Sequence, residues 1–165
     1  MRADVETEPG SLSATTVRPV WKEYVAEACS GEAYQLFCSV SRRAMSGRKI
    51  RRIKLIGRRC TPQIYKTFLG YEVIGARKRV LCPDLTTARY LRIFAEIGLK
   101  EIDLPYDVTC TRDVLPELER SYTSLRRILD FFVDQLISRS EKNQFLRRTY
   151  ANLQLELTKK RADEV

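Results

Sequence analysis

The residues whose types and spacing could do chemistry are concentrated between Arg42 and Arg59. That stretch reads RRAMSGRKIRRIKLIGRR, with nine Arg or Lys among its eighteen positions and no acid. No Asp or Glu occurs from Ala33 through Tyr71. Cations left unbalanced by their own sequence neighbourhood call for an anion from elsewhere. Seven of the nine are Arg, whose planar fork suits phosphate better than an ammonium does. A phosphate backbone needs several such contacts at once, each releasing counterions. Arg42, Arg43, Arg48, Lys49, Arg51, Arg52, Lys54, Arg58 and Arg59 are therefore the candidate phosphate contacts. Tyr34, Phe37, Tyr65 and Tyr71 lie nearby in sequence and could stack on unpaired bases, although aromatics at such spacings also serve a core.

A second constellation is acidic. Asp84, Glu101, Asp103 and Asp107 surround an expected pair of strands, with Lys100 alongside. Carboxylates grouped in this way can hold Mg²⁺ for phosphodiester cleavage. On the competing reading each has a purely structural role. Asp84 then caps a helix, Asp107 makes a turn, and Glu101 and Asp103 face solvent. No cofactor is expected, and no metal site is assigned.

Other chemistries are excluded by composition. The chain has no histidine, which removes His general bases, Ser-His-Asp or Cys-His nucleophile pairs and His-containing zinc sites. Gly70-x-x-x-x-Gly75 is followed by Ala76-Arg77, not by Lys and a hydroxyl residue, so it is not a P-loop. Cys29, Cys38, Cys60, Cys82 and Cys110 are widely spaced, with no C-x-x-C pair; they are expected to be reduced thiols packed as small hydrophobes. Cys82 stands before a helix start that could lower its pKa, but it has no His partner.

The elements that must position these residues can be read from periodicity. The 165 residues suit one domain, and 44% hydrophobic content supports a packed core. Residues 1–18 read as a flexible acidic and hydroxyl-rich tail. Residues 19–112 read as an α/β core carrying a basic hairpin, and 113–160 as a helical segment that packs on the core or dimerises. Pro19 opens a helix that ends at Ser30-Gly31. Tyr34, Leu36, Cys38 and Val40 alternate with their neighbours and predict a strand over 34–43. With a turn near Ser46-Gly47 and a second strand over 50–56, this makes an antiparallel hairpin; a basic helix over 42–56 is the rival. Thr61-Pro62 predicts a helix to Leu69, and 71–75 a strand. Arg79–Cys82, a helix capped by Asp84 and closed by Gly98, and a strand over 99–104 predict a βαβ unit with parallel strands.

From Asp113 onward the spacing is helical. Leu118, Tyr122, Leu125, Leu129, Phe132 and Leu136 form a heptad seam, which Arg139 and Asn143 interrupt. The helix either continues, giving a homodimer through Leu118, Leu125, Leu129, Phe132 and Leu136, or breaks near Ser138–Ser140 into a helical hairpin; the break fits a domain of this size better. The expected class is α+β: a small mixed sheet, from the basic β-hairpin and the βαβ unit, with a long C-terminal helix or helical hairpin.

A net charge of +9 favours a polyanionic partner. The functional expectation is a non-enzymatic nucleic-acid-binding protein, with DNA and RNA equally open. The alternative is an assembly or adaptor protein using its C-terminal helix against an acidic partner, and a Mg²⁺-dependent nuclease is a third reading. Residues 1–20 lack the apolar core of a secretory signal, and no apolar run approaches the roughly 20 residues of a membrane span; a cytoplasmic location is expected.

Overall fold

The computed structural model describes residues 20–159. The expected N-terminal tail and Pro19 lie outside them. Helix α1 (Val20–Ser30) is followed, after Gly31 alone, by α2 (Glu32–Met45). The strands are β1 (Ile50–Lys54), β2 (Gln63–Thr67), β3 (Gly70–Gly75), β4 (Lys78–Cys82) and β5 (Glu101–Pro105). Helix α3 (Leu85–Ile97) separates β4 from β5, and α4 (Val108–Gln135) and α5 (Arg139–Thr158) complete an α+β fold.

The strand expected over 34–43 is helix instead. Its alternation puts Leu36 inside and Phe37 outside, yet Leu36 is 50% exposed and Phe37 is 0% exposed. Tyr34, Phe37, Cys38, Ser41 and Ala44 are buried at helical spacing. Serine and glycine at 46–47 end α2 rather than turning a hairpin: Ser46 returns both its N–H and its Oγ to the Arg43 carbonyl.

With no strand at 34–43, β1 has no hairpin partner and pairs with β5. The pairing is antiparallel, matching Arg52 with Asp103 and Lys54 with Glu101. β4 and β5 consequently belong to different sheets, one ordered β1-β5 and the other β2-β3-β4. Both sheets are antiparallel, so the expected parallel βαβ pair and mixed sheet do not form. The intervening helix is nonetheless as expected: Asp84 accepts from the Thr87 N–H at 2.7 Å, and Gly98 closes α3 at φ +94°.

The helix expected over 61–69 is also replaced by a strand. Ile64, Tyr65 and Thr67 are good strand formers, and β2 pairs with β3 across a turn at Phe68-Leu69. The expected basic hairpin does not form; β3 and β4 make a different hairpin, whose turn residues Ala76 and Arg77 both have positive φ (49° and 64°). That is the mirror-image turn compatible with strand twist, and it ordinarily uses Asn-Gly.

The C-terminal helix breaks where its seam is interrupted. Ser138 caps α5 by accepting from the Glu141 N–H at 3.0 Å. Beyond the break Phe145, Thr149, Tyr150, Leu153 and Leu157 are buried, while Leu146 is only partly buried. Leu118, Leu125, Leu129, Phe132 and Leu136 are all at most 7% exposed within one chain. α4 lies on α2 and α3, while α5 lies mainly on α1. The expected homodimer seam is therefore the protein's own core, and those five residues are not available to a second copy.

One hydrophobic cluster runs from Val25 to Leu157. Phe37 centres it, 5.2 Å from the Tyr122 ring and 6.2 Å from that of Phe94. Burying a side chain of this size stabilises the fold by about 2–3 kcal/mol. Tyr90, also fully buried, donates its O–H to the Asp103 carbonyl at 2.8 Å and ties α3 to β5. No helix among the described residues is long and apolar enough to cross a membrane.

Candidate polyanion-binding cleft

The pleat of β1 divides its cations. Ile50, Arg52 and Lys54 share the exposed face, while Arg51 and Ile53 are partly buried on the other. Arg52 meets Asp103 at 3.1 Å and Glu101 at 3.4 Å across the β1–β5 pair. Lys54 stands opposite Glu101 in register but forms no ion pair among the described residues. Arg51 lies 5.5 Å over the Tyr106 ring, and its Nε is buried without a hydrogen-bond partner among the described residues.

The chain beyond β1 is laid against the α3–β5 junction. Leu55 donates its N–H to the Lys100 carbonyl at 2.8 Å, and Gly57 donates to the Leu99 carbonyl at 3.1 Å. The next residues cross directly over Gly98, where an added Cβ would stand 2.7 Å from the Arg59 nitrogen and 2.9 Å from Gln154 Nε2. Gln154 of α5 in turn donates to the Ile97 carbonyl at 2.8 Å. Arg59 rests its guanidinium 4.6 Å above the Tyr150 ring. Arg58, Arg59 and Lys100 thus come together, with Lys54 beside them on β1, and all four are exposed. None has a carboxylate within ion-pair distance among the described residues.

Arg58, Arg59 and Lys100 border an open cleft of about 1080 Å³ between the β1–β5 pair, the end of α2 and the last turns of α5. Arg42, Arg52 and Lys159 add positive charge to its lining, and Glu101 and Asp103 are its only acids among the described residues. Arg42 is held by Glu156 of α5 and so lies against the terminal helix. Lys159 reaches the same carboxylate at 3.9 Å. The apolar lining includes Met45, Ile50 and Leu155.

The nine sequence candidates therefore separate. Arg42, Arg52, Arg58 and Arg59 line the cleft, with Lys54 beside them. Arg43 turns away to Glu117 on α4. Arg48 and Lys49 are exposed at the opposite end of β1, and Arg51 is on the opposite face. Lys100 and Lys159 join the site from outside the basic stretch. The β1–β5 pairing delivers Lys100, which a hairpin between 34–43 and 50–56 conceals.

The four carboxylates considered for Mg²⁺ do not assemble. Asp84 and Asp107 cap α3 and α4, Asp107 accepting from the Thr109 N–H at 2.9 Å. Glu101 and Asp103 are engaged by Arg52. Among the described residues no three His, Cys, Asp or Glu side chains come together as a metal site. Burial pushes the Cys82 thiol up to about 11, with Asp84 adding to the shift. That is opposite to what a reactive thiol at a helix start requires, and Cys82 is a core residue. All five cysteines are free.

No family model, curated protein or solved structure matches this chain.

Proposed function

We propose that the chain is a non-enzymatic nucleic-acid-binding protein that holds the phosphate backbone at this cleft. The observation that carries the reading is the convergence of Arg58, Arg59 and Lys100 on the cleft, with Lys54 beside them on β1, all exposed and without an ion-pair partner among the described residues. Their charge is not consumed by the fold, so an incoming phosphate loses little competing attraction and gains counterion release. Arg42 and Arg52 support the same field from within the cleft, each already tied to a carboxylate. The exposed pairs of Arg52 are worth about 0–1 kcal/mol and leave its charge in the field of the cleft, whereas the part-buried Arg42–Glu156 pair stays with the terminal helix.

The test is fluorescence anisotropy with labelled RNA and DNA oligonucleotides at low salt, with labelled polyglutamate as the acidic-protein control. Binding of an oligonucleotide that polyglutamate cannot match supports the reading. Absence of binding to every nucleic acid, or equal binding of polyglutamate, overturns it.

A further inference from the structure

The cleft offers more than charge. Ile50 of β1 and Leu155 of α5 line it from opposite walls and are 44% and 69% exposed. Met45, partly buried, continues the apolar surface between them. A duplex keeps its base faces stacked inside and presents phosphates outward, so it gains nothing from apolar walls. A single strand presents base faces and phosphates together.

Arg59 adds a geometric reason. Its guanidinium is laid over Tyr150 at 4.6 Å from the ring centroid, while Tyr150 itself is only 9% exposed. The aromatic ring is thus largely covered, and Arg59, not Tyr150, lines the cleft. A guanidinium seated over a ring on one side can take an unpaired base on the other, and its charge remains available to the neighbouring phosphate. The segment carrying Arg59 is fixed by its close passage over Gly98 and by the Gly57 hydrogen bond. The backbone that carries Arg59 is therefore positioned by the fold itself.

Resting on the nucleic-acid reading above, we infer that the cleft takes a single strand in preference to a duplex, with a base stacked on Arg59 and its neighbours against Ile50 and Leu155. Both backbones, RNA and DNA, fit this description, and the experiment separates them.

The experiment is competition anisotropy on the full chain. A labelled single-stranded oligonucleotide is displaced by unlabelled single strand or by duplex of the same sequence, in RNA and DNA forms. The expected result is single-strand affinity at least about 10-fold above that of the duplex, corresponding to one stacked base. Arg59→Lys keeps the charge and removes the plane. It should weaken single-strand binding by roughly 5- to 100-fold and leave both the salt slope and the melting temperature unchanged. Leu155→Ser, at an exposed helix position, should also weaken single-strand binding and spare the duplex. Equal affinity for duplex and single strand overturns the inference and leaves nucleic-acid binding standing. So does an Arg59→Lys chain that binds as tightly as the parent. Failure of every nucleic acid to bind overturns both.

Discussion

Replacing Arg58 and Lys100 together by alanine should flatten the salt dependence of nucleic-acid binding by an amount the structure sets. Three cations lining the cleft, Arg58, Arg59 and Lys100, and Lys54 beside them are exposed and have no ion-pair partner among the described residues. Treating these as the phosphate contacts gives a log–log salt slope near −2.8 for a single strand. Affinity should then fall about 50-fold between about 50 and about 200 mM monovalent salt. Removing two of the four contacts halves the slope to about −1.4, so the same salt step costs the variant only about 7-fold. The assay is anisotropy titration at several salt concentrations, with a melting curve to establish that the variant folds. Arg48→Ala with Lys49→Ala is the matched control. It removes the same charge from the other end of β1 and should leave the slope near −2.8. A parent slope near zero, or equal flattening by the control pair, would refute the assignment of contacts to this cleft.

Three further outcomes concern the scaffold. Gly98→Ala forces a side chain into a left-handed conformation and against the Arg59 backbone; chemical denaturation should show a loss of about 2–5 kcal/mol, accompanied by weaker nucleic-acid binding. Ala76→Asn with Arg77→Gly supplies the residues that the β3–β4 turn prefers; urea midpoints should rise by the equivalent of about 1 kcal/mol, with binding unaffected. Burial pushes the Cys38 and Cys82 thiols up to about 12 and about 11 from an ordinary 9.0. The protonated forms are thus favoured by folding, so their contribution is fully present below about pH 9 and is lost as pH climbs toward those values. Each thiol should lower stability by up to about 1.4 kcal/mol per pH unit in that window, with Tyr34, Tyr90 and Tyr122, also raised by burial, steepening the loss further up. Urea midpoints across alkaline pH check this, and Cys38→Ala should give a shallower decline.

How much of the fold is legible in the sequence depends on how local the determinants are. α3 is legible because Asp84 and Gly98 mark its ends within the helix itself. The break before α5 is legible for a similar reason: Arg139 and Asn143 interrupt the apolar seam, and Ser138 is a good cap. The 34–43 segment misleads because alternation and helical spacing share Tyr34, Cys38 and Val40; only the burial of Phe37 and the exposure of Leu36 separate them, and that is a tertiary outcome. The same ambiguity hides the partner of β1. A strand at 34–43 would give β1 a neighbour close in sequence, and the distant pairing with β5 then has no reason to form. The site inherits both results. Arg52, Lys54, Arg58 and Arg59 are visible from local charge density, whereas Lys100 enters only through the β1–β5 register. Arg43 and Arg51 share that charge density yet point elsewhere, because density along the chain carries no information about which face a side chain takes.

The most direct measurement is a nuclear magnetic resonance titration of the ¹⁵N-labelled chain with a short single-stranded oligonucleotide at low salt. The amides of Lys54, Gly57, Arg58, Arg59 and Lys100 should shift together and saturate with one affinity, while those of Arg43, Arg48 and the β3–β4 turn stay in place. Shifts confined to Arg77–Arg79 or to the exposed face of α4, or no shifts at all, would contradict binding at the cleft.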